Sequence, residues 1–247
     1  MPLEDPLYNE GREGHRSLID IHGKPMVQWV LDALNRSDSV GDVYVMGLGP
    51  GYGLEAIKPI HFLADEGGLF ENIRSGIFQA TQEHPSQSKV LLVSSDIPTL
   101  QPEMVDWLVA QVVEDPTKML YYNVIPQTVM EARFPDSRRS YVRFKDIAVC
   151  GGDMNVVDRQ LYSVESPLWK RLSEARKHPI KQMGLLGMDN LILIGLRTLT
   201  LEVTVRRICK RLNIAAKALI SPYAEVGMDA DKPSQLEILR RDLEGRL

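Results

Sequence analysis

The stretch Val90-Leu91-Leu92-Val93-Ser94-Ser95-Asp96-Ile97-Pro98 decides how this chain is read. Its apolar run is too short for a helix and ends in two serines, an aspartate and a proline. That pattern predicts a buried strand delivering a carboxylate to its C-terminal edge. Pro98 sets the exit, and Gln101-Pro102-Glu103 opens an amphipathic helix through Trp107 and Leu108. Ligands of open α/β sheets bind in the crevice at the carboxyl ends of strands, which is where Asp96 falls. An aspartate after a strand is also an ordinary turn residue, so the neighbouring elements must decide.

Upstream, residues 1–16 are polar and read as an extended loop. An apolar segment, Leu18 to Ile21, leads to the turn His22-Gly23-Lys24-Pro25. Met26, Val27, Val30, Leu31 and Leu34 then recur at helical spacing. Strands are expected at Asp42 to Gly47 and Ile60 to Leu63, separated by a glycine-rich loop through Gly53. Asp65-Glu66-Gly67-Gly68 opens a helix from Leu69 to Gln82. Downstream, Met119 to Ile125 is the next strand, with shorter strand-like pieces around Tyr141–Phe144 and Val149-Cys150. Residues 166–212 read as largely helical, and Ala218 to Ser221 as a last strand before a C-terminal helix. Alternation of this kind argues for a mostly parallel sheet covered on both faces.

The 247 residues are 44% hydrophobic and 25% charged, enough for one sizeable core. We therefore expect one domain over 1–247, with residues 133–212 as an elaboration of it. A net charge of −4 argues against general nucleic-acid binding. Cys150 and Cys209 lie far apart without metal-ligand spacing and read as reduced thiols of a cytoplasmic protein. The N-terminus is unlike a signal peptide. The longest apolar run, Leu191 to Leu196, is too short to span a bilayer and is expected to form a buried helix face.

Three further constellations carry possible chemistry. Asp229-Ala230-Asp231 precedes Lys232-Pro233 and the final helix. Asp231 can cap that helix, but capping explains one aspartate and not two, because adjacent carboxylates repel unless a cation or donors intervene. Mg²⁺ uses one or two carboxylates with substrate phosphates, so Asp96 with Asp229 or Asp231 suits it if the loops meet. Gly151-Gly152-Asp153-Met154-Asn155 is either a tight turn or a close backbone approach to substrate. The cations Arg133, Arg138, Arg139, Arg143 and Lys145 are either a solvated strand face or the clamp of a phosphorylated acceptor.

Together these blocks resemble the MobA-like NTP transferases. Ser17 to Leu34, with His22-Gly23-Lys24-Pro25-Met26 at its centre, looks like that family's Gly-Lys-Pro-Met block. Gly67-Gly68 through Asn72 to Gly76 is similar to its base- and sugar-contacting segment, and Asp96-Ile97-Pro98 to the end of its metal-binding strand. Asp229 to Pro233 resembles the family's closing Asp-x-Asp motif, with Lys232 and Gln235 departing from it. The resemblance implies a three-layer, Rossmann-like GT-A fold with a mixed, mostly parallel sheet. It implies transfer of NMP from an NTP to an acceptor with release of pyrophosphate.

The family's first strand and its glycine-rich phosphate loop have no counterpart here. Gly11-Arg12-Glu13-Gly14 follows no apolar strand, and Arg16 stands where a lysine is usual. We expect an N-terminally truncated enzyme rather than a degenerate relative. By the resemblance, Asp96 and Asp231 (or Asp229) hold Mg²⁺, and Arg16 approaches the triphosphate. Gly67, Gly68, Asn72 and Lys24 bind the nucleotide; Arg138, Arg139, Asp153 and Asn155 line the acceptor side. The partners expected are an NTP and a small, phosphorylated acceptor, with neither nucleic acid nor membrane. A homo-oligomer through Pro167 to Leu212 is left open. The alternatives are a nucleotide-sugar-dependent glycosyltransferase and a non-catalytic nucleotide-binding relative, since one fold hosts many functions.

Overall fold

The computed structural model describes residues 6, 7, 10, 11, 13–162 and 187–245. Two short strands, β1 (Asp20–Ile21) and β2 (Lys24–Pro25), form a hairpin. Its turn is made by His22 and Gly23, both at positive φ, which matches the twist of the flanking strands. The chain then enters α1 (Met26–Arg36), whose apolar stripe is buried as the spacing predicts. β3 (Val43–Met46) and β4 (Ile60–Leu63) pair in parallel as a sheet of their own.

α2 (Leu69–Glu83), β5 (Lys89–Val93), α3 (Pro102–Glu114), β6 (Leu120–Pro126) and α4 (Gln127–Arg133) follow. β7 (Val142–Arg143), β8 (Ala148–Gly151) and β9 (Met154–Asp158) come next, then α5 (Met188–Gly195), α6 (Leu201–Leu212), β10 (Ala216–Ile220) and α7 (Pro233–Glu244). The main sheet has the order β5-β9-β6-β8-β7, with β10 on β6. Pairing directions make it mixed: β5, β6, β7 and β10 run one way, β8 and β9 the other.

β9 is the element that sequence periodicity does not disclose. It lies antiparallel between β5 and β6, so most neighbours in this sheet are antiparallel although most strands share a direction. The Gly151-Gly152-Asp153 segment is accordingly the turn that carries the chain from β8 into β9. Leu91 and Val93 of β5 pack toward α1 and α3, whereas Val90 and Leu92 pack toward Ile73 and Ile77 of α2. This alternation gives three layers.

Two expectations are corrected. β5 is partly exposed along its whole length rather than buried, because among the described strands it pairs on one edge only, with β9. Among the described strands β3 pairs only with β4, and α2 packs on both β3 and β5. The run Leu191 to Leu196 is not a buried face either: Ile192 and Leu196 are exposed at 57% and 67%. No described helix is long and apolar enough to cross a membrane. Residues 163–186, most of the first half of the stretch read as helical, lie outside the described residues, as does Arg12.

Candidate active site

Asp96 sits three residues beyond the end of β5, in a bend between that strand and α3. Ser94 Oγ donates to Asp96 Oδ1 at 2.6 Å and orients the carboxylate. Asp229 and Asp231 lie on the loop between β10 and α7. The two loops are stitched together by the backbone: Ala230 N–H donates to the Asp96 carbonyl at 3.0 Å. One carboxylate oxygen from each of Asp96, Asp229 and Asp231 lies within 4.8 Å of the others. The capping role open to Asp231 is not realised. Lys232 is the N-cap of α7 and no side chain caps that helix.

Cations and burial hold this acidic cluster together. Arg16 Nη1 donates to Asp231 Oδ1 at 2.6 Å and lies 3.9 Å from Asp96 Oδ2. Arg139 forms an ion pair with the buried Asp229. Asp153 is a fourth carboxylate beside them, held by its backbone N–H to Val226 and by its carbonyl to Ser94 N–H. Burial, reinforced by the charges of Asp96 and Asp231, pushes its carboxyl up to about 6. Its Oδ2 is buried without a hydrogen-bond partner among the described residues. Four carboxylates from three segments converge where hard-oxygen donors and an orphaned buried oxygen suit a small divalent cation.

Of the residues expected on the nucleotide side, Gly67, Gly68 and Asn72 follow the C-terminal end of β4. Gly67 has φ +79°, a conformation natural to glycine, and its N–H donates to Asp65 Oδ1 at 2.9 Å. Asn72 braces the same loop: its Nδ2 donates to Asp65 Oδ1, and its Oδ1 accepts from Glu66 N–H. The Asn72 amide and the Gly67 N–H hold the Asp65 carboxyl below its ordinary range, with His15 adding to the effect. Gly68 is the N-cap of α2. Asp65, which pattern reading passed over, is therefore the hub of this loop. Lys24 is committed elsewhere: Nζ donates to Asp32 at 2.6 Å and stands over the Trp29 ring.

On the other side, Arg138 is exposed with a left-handed backbone, and Arg139 turns inward to Asp229. Asn155 uses both ends of its amide on the backbone, accepting from Asn123 N–H and donating to the Gly152 carbonyl. It thereby fixes the turn that carries Asp153. The close approach expected of the two glycines is to protein: a Cβ on Gly152 would stand 2.9 Å from Asn123 Cβ. A Cβ on Gly151 would stand 2.5 Å from the Tyr122 hydroxyl. Burial and Asp153 push the Tyr122 phenol up. Tyr122 alternates with buried Tyr121 and Asn123 along β6, so strand periodicity could have assigned it to this face.

A three-layer α/β fold with convergent aspartates at strand ends belongs to the class that takes its ligand in the crevice at the carboxyl ends of the strands. Comparison with known proteins narrows that class. The MobA-like NTP transferase domain matches residues 11–130. The fold is shared with a hypothetical transferase from Thermus thermophilus, at 34% identity over 90% of each chain and a TM-score of 0.75. It is also similar to a CMP:2-keto-3-deoxy-manno-octonic acid synthetase complexed with CTP (14% identity, 97% and 96% coverage, TM-score 0.60). A third similar structure is 4-diphosphocytidyl-2C-methyl-D-erythritol synthase from Anaerococcus prevotii (8% identity, 95% and 93% coverage, TM-score 0.58). No curated protein gives a significant match. The chain belongs to the MobA-like NTP transferase family, whose reaction is nucleotidyl transfer.

Proposed function

We propose that this protein transfers an NMP group from an NTP to a phosphorylated small-molecule acceptor, releasing pyrophosphate, with Mg²⁺ bound by Asp96, Asp229 and Asp231. The observation that carries the reading is the meeting of these three carboxylates, from loops more than 130 residues apart, within 4.8 Å. Such a cluster is self-repelling, and Arg16 and Arg139 offset only part of its charge. A hard divalent cation is the natural completion of this donor set. When bound, it supplies charge neutralisation at the phosphoryl oxygens.

The chain's own residues do the rest by positioning. Arg16, held at the acidic cluster by Asp231, would offer its guanidinium to triphosphate oxygens through charge-assisted bonds. The Asp65–Gly68 loop and the α2 N-terminus form the base and ribose side, with Asn72 acting through Asp65 and Glu66. Arg138, Tyr122 and Asp153 face the acceptor. No protein nucleophile is needed, because phosphoryl chemistry of this kind depends on alignment and charge stabilisation.

The test is calorimetric titration with ATP, GTP, CTP and UTP, with and without Mg²⁺, on the wild-type chain and on Asp96→Asn. One NTP should bind in an Mg²⁺-dependent way, and the substitution should abolish that dependence. Binding of nucleotide sugars in preference to every NTP would replace this reading with sugar transfer. Binding that ignores both Mg²⁺ and the substitution would replace it with a non-catalytic role.

A further inference from the structure

A second cluster of metal-ligating side chains lies at the N-terminal edge of β3 and β4. Asp42 immediately precedes β3, and His61 is the second residue of β4, directly opposite Tyr44 in the parallel register. Glu83 and His84 are the last residue and the C-cap of α2, which starts at the nucleotide side and returns the chain to this edge. Among these residues the donor atoms already converge. His84 Nε2 is 3.0 Å and His61 Nε2 3.4 Å from the same atom, Asp42 Oδ2. His61 Nδ1 is 3.7 Å from Glu83 Oε2. Asp42, Glu83 and His84 each offer a donor atom within 4.8 Å of the others.

We propose that Asp42, His61, Glu83 and His84 bind a zinc-type first-row divalent cation. Two imidazoles with two carboxylates form a borderline N₂O₂ donor set, which suits zinc and not magnesium. In tetrahedral zinc sites with bonds of about 2.0–2.1 Å, donor atoms sit about 3.3 Å apart, a spacing that the two imidazole contacts to Asp42 Oδ2 already match. The independent sign is His61 Nε2, a buried atom aimed at Asp42 that has no hydrogen-bond partner among the described residues. A buried imidazole nitrogen is ordinarily satisfied, and a cation satisfies it.

The surroundings hold the donors in place. Tyr44 stacks on the His61 ring, with centroids 4.5 Å apart and planes 11° apart. Its hydroxyl donates to Glu83 Oε2 at 2.6 Å, and Gln79 donates to Oε1 at 2.5 Å. Outer partners of this kind fix the orientation of metal-bound residues. The cation would clamp the end of α2 to β3 and β4, which among the described residues have no backbone pairing to the main sheet.

The test uses metal-stripped full-length protein titrated with Zn²⁺ by calorimetry and with Co²⁺ by visible absorption, both in excess Mg²⁺ to occupy the Asp96 cluster. One Zn²⁺ per chain and the absorption of tetrahedral Co²⁺ are expected. His84→Ala and Asp42→Asn should each weaken binding by about a hundredfold or more, while Asp96→Asn leaves it unchanged. His84→Gln, at a half-exposed position, serves if Asp42→Asn does not fold. Failure to bind Zn²⁺, binding insensitive to these substitutions, or binding lost only with Asp96→Asn would overturn the proposal.

Discussion

Arg16 Nη1 lies 2.6 Å from Asp231 Oδ1 and 3.9 Å from Asp96 Oδ2, so a single guanidinium spans two loops from distant parts of the chain. Its charge favours anionic phosphates and opposes a cation at the same carboxylates. Arg16→Gln should therefore tighten Mg²⁺ binding severalfold in the absence of nucleotide. The same variant should weaken NTP binding by about tenfold or more, the scale of one charge-assisted hydrogen bond. Calorimetry of Mg²⁺ and of NTP on the variant measures both, and parallel changes in the two would contradict the assigned role.

Asp96→Asn keeps the side chain's size and its hydrogen bond with Ser94 while removing one negative charge from a crowded group. Pyrophosphate release should fall roughly a hundredfold or more, as when one charge-stabilising group is lost. The melting temperature should hold or rise, because repulsion within the cluster is reduced. An active Asp96→Asn protein would refute the metal role.

Asp153 makes stability depend on pH in an unusual direction. Its carboxyl is raised to about 6 by burial and by Asp96 and Asp231, above its value in an unfolded chain. The folded state therefore binds more protons than the unfolded state between about pH 4 and 6. In chelator, this group should contribute a loss of stability as pH rises through that window, on the order of 1–3 kcal/mol. Asp153→Asn should flatten the dependence and raise stability at pH 7. Urea melts from pH 4.5 to 7.5 on both proteins provide the comparison.

Gly152→Ala would put a Cβ 2.9 Å from Asn123 Cβ and 3.1 Å from Ile125 Cδ1, atoms of a packed strand. Overpacking of this kind costs about 1–3 kcal/mol, or roughly 2–10 °C in melting temperature. Because Asp153 follows directly, activity should fall further than stability alone explains. A variant with unchanged melting and turnover would show that the turn has room the geometry denies.

Much of the architecture is legible in the residues. The limits of β3, β4 and α2, and the start of α3, follow from periodicity and from Gly68 and Pro102, within a residue or two of the observed ends. β9 is not legible, since Met154–Asp158 alternates weakly and its place between β5 and β6 is a matter of non-local pairing. Periodicity also overstates burial at β5 and at Leu191 to Leu196, because it reports apolar content and not which edge or face finds a neighbour.

The aspartates show the same division. Strand-end position singles out Asp96, and like-charge repulsion singles out the pair Asp229 and Asp231, from local chemistry alone. Only the tertiary structure decides that Asp231 answers Arg16 instead of capping α7, that Asn155 and Asn72 brace turns, and that Lys24 belongs to Asp32. Sequence determines each segment's conformational preference and chemistry, because those depend on near neighbours. Which distant groups share one small volume depends on how the layers pack, and that is settled by burial and pairing across the whole chain.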